Sequence, residues 1–108
     1  MRAIKVFSHN ILAGILTENK DGSFTFRYDD NYYNNPEYSS ISLTMPKTQQ
    51  EFHSNTLFSF FFNLLSEGTN RKVQARRFKI DEEDNFGFLM ALGTNDFIGA
   101  VTIERIEI

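Results

Sequence analysis

A chain of 108 residues with a net charge of −3 is sized for one domain, residues 1–108, and is too short for a catalytic core plus a separate substrate domain. Twelve phenylalanines against no tryptophan and no cysteine give an aromatic interior without disulfides, thiolate metal sites or a cysteine nucleophile. The amino terminus turns polar at Ser8, too early for a signal peptide, and no apolar run approaches the roughly 20 residues of a membrane span, so the sequence predicts a soluble cytoplasmic protein without membrane contact.

Residues 2–8 alternate weakly around Ile4 and Val6 and suit a strand, which the polar group Ser8-His9-Asn10 ends. Residues 11–17 read as the returning strand, in which Gly14 marks a bulge or a close approach of another backbone. Asp21-Gly22 is a strong hairpin signal of the type I′ kind, and residues 23–28 then alternate with Phe24, Phe26 and Tyr28 on one face. Residues 29–40 combine Tyr32, Tyr33 and Tyr38 with Asn, Asp and Pro36, which reads as a loop with tyrosine anchors. Residues 41–45 alternate as a short strand stopped by Pro46, and residues 47–53 read as a polar connector.

Residues 57–71 hold the greasiest stretch of the chain. At helical spacing Leu57, Phe58, Phe60, Phe61, Phe62, Leu64 and Leu65 cover an arc of roughly 200°, twice the width that a core-facing stripe needs. The predicted helix, capped by Ser54 or Asn55 and ended by Gly68, either lies deep in the core or covers a sheet on one side and meets another protein on the other. Thr69 or Asn70 caps a second helix to about Lys79, with Val73 and Ile80 inward and Lys72, Arg76 and Lys79 on one face. Asp84 suits the N-cap of a third helix over residues 85–92, and residues 97–108 form a last strand with Val101, Ile103 and Arg105 on one side. Strands, then helices, then a returning strand define an α+β domain with a mostly antiparallel sheet.

No catalytic constellation emerges. His9 and His53 stand in a turn and a connector without metal-ligand spacing, no Gly-x-Ser-x-Gly elbow supplies a nucleophile, and no Walker or Rossmann glycine loop is present. We therefore assign no catalytic residue, metal or cofactor. The basic residues Arg71, Lys72, Arg76, Arg77 and Lys79 suit either a solvated helix face or contact with phosphates or an acidic surface. The segment between the two helices presents polar groups at one surface point, and the predicted partner-binding residues are Phe62, Leu65, Ser66, Glu67, Gly68, Thr69, Asn70 and Arg71.

Val6-Phe7, Asn10, Ala13-Gly14-Ile15-Leu16, Gly22 with Phe24, Phe26 and Tyr28, Ile41-Ser42-Leu43-Thr44-Met45-Pro46, the aromatic run through Leu65 with Glu67-Gly68, and Asp96-Phe97-Ile98-Gly99-Ala100-Val101 together resemble the N-terminal subdomain of HipA-type serine/threonine kinases. The resemblance spans nearly the whole chain and omits the kinase core with its catalytic Asp and Mg-binding residues. With Met1 and Ile108 taken as natural ends, it implies a small protein like HipS, the antitoxin of split HipBST systems. Such a protein binds and inhibits a HipT-like serine/threonine kinase toxin, in a complex that also holds a HipB-like helix-turn-helix DNA-binding protein. The alternative it implies is an accessory subunit that strengthens operator-DNA binding by the kinase and repressor, with Lys72, Arg76 and Lys79 as carriers, although direct DNA contact fits the acidic balance poorly. Family members often carry Pro where this chain has Ser66 and Trp where it has Thr69, so inhibition by a bulky inserted side chain gives way here to docking or loop restraint.

Overall fold

The computed structural model describes residues 2–63, 65, 69–92 and 101–106. Alternation builds the first three strands as the sequence suggests: β1 (Arg2–Ser8), β2 (Ile11–Glu18) and β3 (Phe24–Tyr28) form an antiparallel meander. Two further strands flank it, β4 (Glu51–Ser54) beside β3 and β5 (Val101–Arg105) beside β1, which gives the order β4-β3-β2-β1-β5. One face of this sheet is buried, and the ladder register sets Ile103 beside Val6 and lines up Ile4, Leu16, Phe26 and Phe52 across four strands. The opposite face carries the charged series Glu104, Lys5, Arg27 and Glu51, so the sheet is amphipathic in the way a period of two demands.

The two hairpins exchange the roles expected of them. His9 and Asn10 both take positive φ, 51° and 67°, so the two-residue loop between β1 and β2 is the type I′ turn. At Asp21-Gly22 only Gly22 is left-handed, with φ 87°, and the five-residue loop closes through Gly22 N–H to Asn19 C=O and Asn19 N–H to Ser23 C=O. Gly14 fulfils both of its expected roles. The β1–β2 register slips next to it, leaving Ala13 as the extra residue of a bulge, and a Cβ at Gly14 would collide with the backbone carbonyl of Arg27.

Two strand assignments need correction. Residues 41–45 form a turn, because the buried Tyr28 hydroxyl takes its hydrogen-bond partners there: it donates to the Met45 carbonyl and accepts from Ile41 N–H at 3.1 Å. Met45 is thereby drawn into the core while Leu43 is left 99% exposed. The supposed connector instead supplies β4, where Phe52 and Ser54 turn to the inner face and pairing with β3 overrides a weak local pattern. The tyrosine-anchored loop is as expected but holds one helical turn, α1 (Asp30–Asn34), with Asp29 accepting from Asn31 N–H at its start. Tyr32 is sandwiched between Tyr28 and Tyr38, at ring separations of 5.9 and 5.0 Å, and its hydroxyl donates to Ser39 C=O. Lys47 closes the loop by donating to the carbonyls of Asn35 and Tyr38, and partial burial lowers its pKa.

Three short helices follow: α2 (Ser59–Phe62), α3 (Thr69–Phe78) and α4 (Asn85–Leu92). Asp84 caps α4 as expected, accepting from Gly87 N–H at 3.0 Å. The same carboxylate makes a forked pair with Arg2, whose guanidinium forks a second time onto Glu18 at 2.8 Å and lies 5.1 Å over the Phe86 ring. One side chain thus ties β1, β2 and α4 together. The Arg2 hydrogen bonds hold the Asp84 carboxyl below the usual carboxylate range against the opposing effect of burial, while Arg2 itself is raised, chiefly by Asp84. A Cβ at Gly87 would strike that carboxylate, so the helix keeps glycine there despite its lower helix propensity.

Two measurements check this account. Gly14→Ala is expected to lower stability in urea by about 1–3 kcal/mol, because the obstructing atom is backbone and cannot swing aside. Asp84 has a depressed folded pKa, so its contribution is present above the unfolded value and is lost as pH falls through the folded one. Stability should therefore decline below about pH 4, and Asp84→Asn should start lower and decline less over that window.

Candidate functional site

The aromatic stretch does not form the long helix that its composition suggests. Phe58 stands at the N-cap of α2 with ψ 138° and no side-chain cap, and its carbonyl accepts from both Phe61 and Phe62 N–H at 3.0 Å. Asn63 N–H bonds back to Ser59 C=O and Leu65 N–H to Phe62 C=O, so the element is one turn closed by Asn63. Ser54, expected to cap a helix, ends β4 and caps the following bend through Thr56 N–H. Consecutive aromatics carry no period, and each loses rotamer freedom against a preceding helical turn, which explains why so greasy a run stays short.

The turn sorts its phenylalanines sharply. Phe61 is fully buried, 5.7 Å from the Phe26 ring on the sheet, with Phe58 and Phe60 packed edge-on against it at 6.4 and 5.2 Å. Phe62 points away and is 41% exposed. Among the predicted partner-binding residues, the structure therefore puts Phe62 at the surface and Leu65 in the core at 8% exposure, which assigns Leu65 to packing. Ser66, Glu67 and Gly68 lie outside the described residues, while Thr69, Asn70 and Arg71 form the opening turn of α3.

Along α3 the inward side is Ala75, with Phe78 half-buried, and Val73, expected inward, is 59% exposed. The helix ends at Lys79, which takes a left-handed φ of 58°, and Ile80 N–H reaches back to Ala75 C=O, a Schellman closure that folds Ile80 onto the core. Lys72, Arg76, Arg77 and Lys79 are all exposed.

Two features of the surface were not singled out by sequence reasoning. Tyr33, Pro36, Tyr38, Ile41, Leu43, Pro46 and Lys47 line an open cleft of about 690 Å³ with Leu43 on its rim. Its signal in the sequence was the pairing of aromatic and proline residues with hydroxyls, which we read only as loop anchoring. The second is the outward placement of Val73, expected inward, between cations on the outer face of α3. Among the described residues no group of three or more His, Asp or Glu residues is placed to hold a metal ion, and no helix is long and apolar enough to cross a membrane. His53 bonds Thr25 and lies 3.4 Å from Glu51 on the polar side of the sheet, and His9 occupies the β1–β2 turn.

Comparison with known proteins gives this arrangement a family. The family model described as HipA N-terminal domain matches residues 4–104. The chain belongs to the HipA N-terminal domain family. A solved structure of the N-terminal domain of HipA toxin superposes with a TM-score of 0.72 at 36% identity, covering 99% of this chain and 94% of that one. An uncharacterized protein of Haemophilus influenzae is 40% identical over 107 residues, which cover 97% of this chain and 93% of the relative. A putative kinase of Sinorhizobium fredii, Y4mE, is 25% identical over 103 residues, 95% of this chain but 24% of the kinase. The HipA-type α+β fold is thus confirmed, and membership ties the chain to toxin–antitoxin systems through the HipA subdomain that lacks the catalytic kinase region.

The division of labour within α2 can be measured directly. Phe61→Ala should cost about 3–5 kcal/mol in chemical denaturation, the usual loss for a buried phenylalanine, whereas Phe62→Ala should stay within about 1 kcal/mol of the parent.

Proposed function

We propose that this chain is a non-catalytic antitoxin, a regulatory subunit that binds a HipT-like serine/threonine kinase in the cytoplasm and holds it inactive within a tripartite toxin–antitoxin complex with a HipB-like DNA-binding protein. The observation that carries this reading is the pair of relatives: the domain is matched along 93% of the Haemophilus protein and again within 24% of a putative kinase. A domain found both at nearly its own length and as part of a kinase has a surface suited to kinase contact, which a separate copy can offer from outside.

The physical support lies in α2 and the start of α3. An aromatic side chain held outward by a buried neighbour is the kind of rigid anchor that dominates binding energy at interfaces. Phe62 is such a residue, fixed because Phe61 beside it is locked against Phe26. Glu67, Asn70 and Arg71, which follow in the sequence, are the polar residues that we assign to its rim. Because Thr69 stands where family members often carry Trp, inhibition proceeds by docking and restraint of the kinase and not by insertion of a large side chain at that position.

Co-expression with the kinase encoded in the same operon should restore growth and yield a co-purifying complex. Phe62→Ala should weaken that complex by tenfold or more, about 1.4 kcal/mol, while leaving the fold intact. Toxicity that persists beside abundant soluble chain, with no complex recovered, would contradict the reading.

A further inference from the structure

On α3 each residue advances about 100° around the axis, so Arg76 and Arg77 flank Val73 at about 60° and 40° to either side. Ala75, on the far side of the helix, is buried. Val73 therefore stands at the outward pole of the helix with a cation on each flank, extended by Lys72 one turn before Arg76 and by Lys79 just past the helix end. The Arg77 guanidinium rests 5.5 Å over the Phe78 ring, which restricts its motion and lowers the entropy lost on forming an ion pair. This is a cationic strip with an apolar centre in a chain whose net charge is −3.

We propose that the outward face of α3 is a second docking strip, which receives an acidic surface with an apolar centre on the kinase that the reading above assigns as partner; the proposal rests on that reading. Charge complementarity selects an anionic occupant, because four exposed cations lie along this side of the helix and its end. Val73 selects protein over nucleic acid: a 59% exposed apolar side chain between two arginines gains nothing from a phosphate backbone, but is covered by an apolar residue flanked by carboxylates.

The test measures affinity of the purified chain for the operon's kinase, and for a 30-base-pair operator duplex of about that length, at low and high salt. Arg76→Glu with Arg77→Glu should weaken kinase binding more than tenfold at low salt, and Val73→Asp should do likewise. Arg76→Gln with Arg77→Gln should weaken it less and flatten its salt dependence. Urea midpoints matching the parent certify that the variants are folded. Kinase affinity that is indifferent to these changes and to salt overturns the strip while leaving the proposed function standing. Variants that lose duplex binding but keep full kinase affinity overturn it in favour of phosphate contact. A wild-type chain that binds no kinase overturns both.

Discussion

The contact between Phe61 and Phe26 is the constraint on which the candidate site depends. Phe26 sits at the centre of the buried sheet face, in register with Leu16 and Phe52, and Phe61 descends onto it from a helix of a single turn. A turn that short has no stability of its own and exists only because one aromatic ring is inserted between others. What Phe61 secures inward, Phe62 presents outward, so the orientation of the exposed aromatic is inherited from a core contact.

The same principle recurs wherever a short element is held by the sheet. Arg2 fixes the start of α4 by sharing its guanidinium between Glu18 and Asp84, and Tyr28 fixes residues 41–45 through its hydroxyl. Both are polar groups at or beneath the inner face whose hydrogen-bonding needs decide where a neighbouring segment lies. The single turn of α2 and the loop over residues 41–45 carry little intrinsic stability and are positioned by single side chains of the sheet or reaching into it, whereas α4 adds Phe86, Phe88 and Leu89 to the core. A scaffold of that kind leaves the outer surfaces of α2 and α3 free to vary with the partner, which suits a binding module.

The sheet was legible where alternation was strong. Ile4, Val6, Leu16, Phe26 and Tyr28 fall on the inner face as their spacing requires, and Gly14 and Asp84 take the places that their chemistry predicted. β4 was missed because only Phe52 among its four residues is apolar, and residues 41–45 were misread because their alternation was outweighed by a hydroxyl 13 residues away from Ile41. The aromatic stretch was overextended because adjacent phenylalanines look apolar from every direction, and only the sheet decides which one is buried. Val73 was placed inward because a valine outweighs an alanine in any hydropathy reading, yet it is the small Ala75 that allows α3 to approach the core. Of the candidate site, the surface position of Phe62 was compatible with the composition, while the assignment of Leu65 to packing required the fold.

The central claim is that this domain works by covering a kinase with the outward surfaces of α2 and α3. Hydrogen–deuterium exchange of the chain, alone and with the operon's kinase, tests it most directly. The account predicts new protection at the amides of residues 58–65 and 69–79, with the polar sheet face around Lys5, Arg27 and Glu104 unchanged. Protection confined to that sheet face, or none in the presence of saturating kinase, would contradict it.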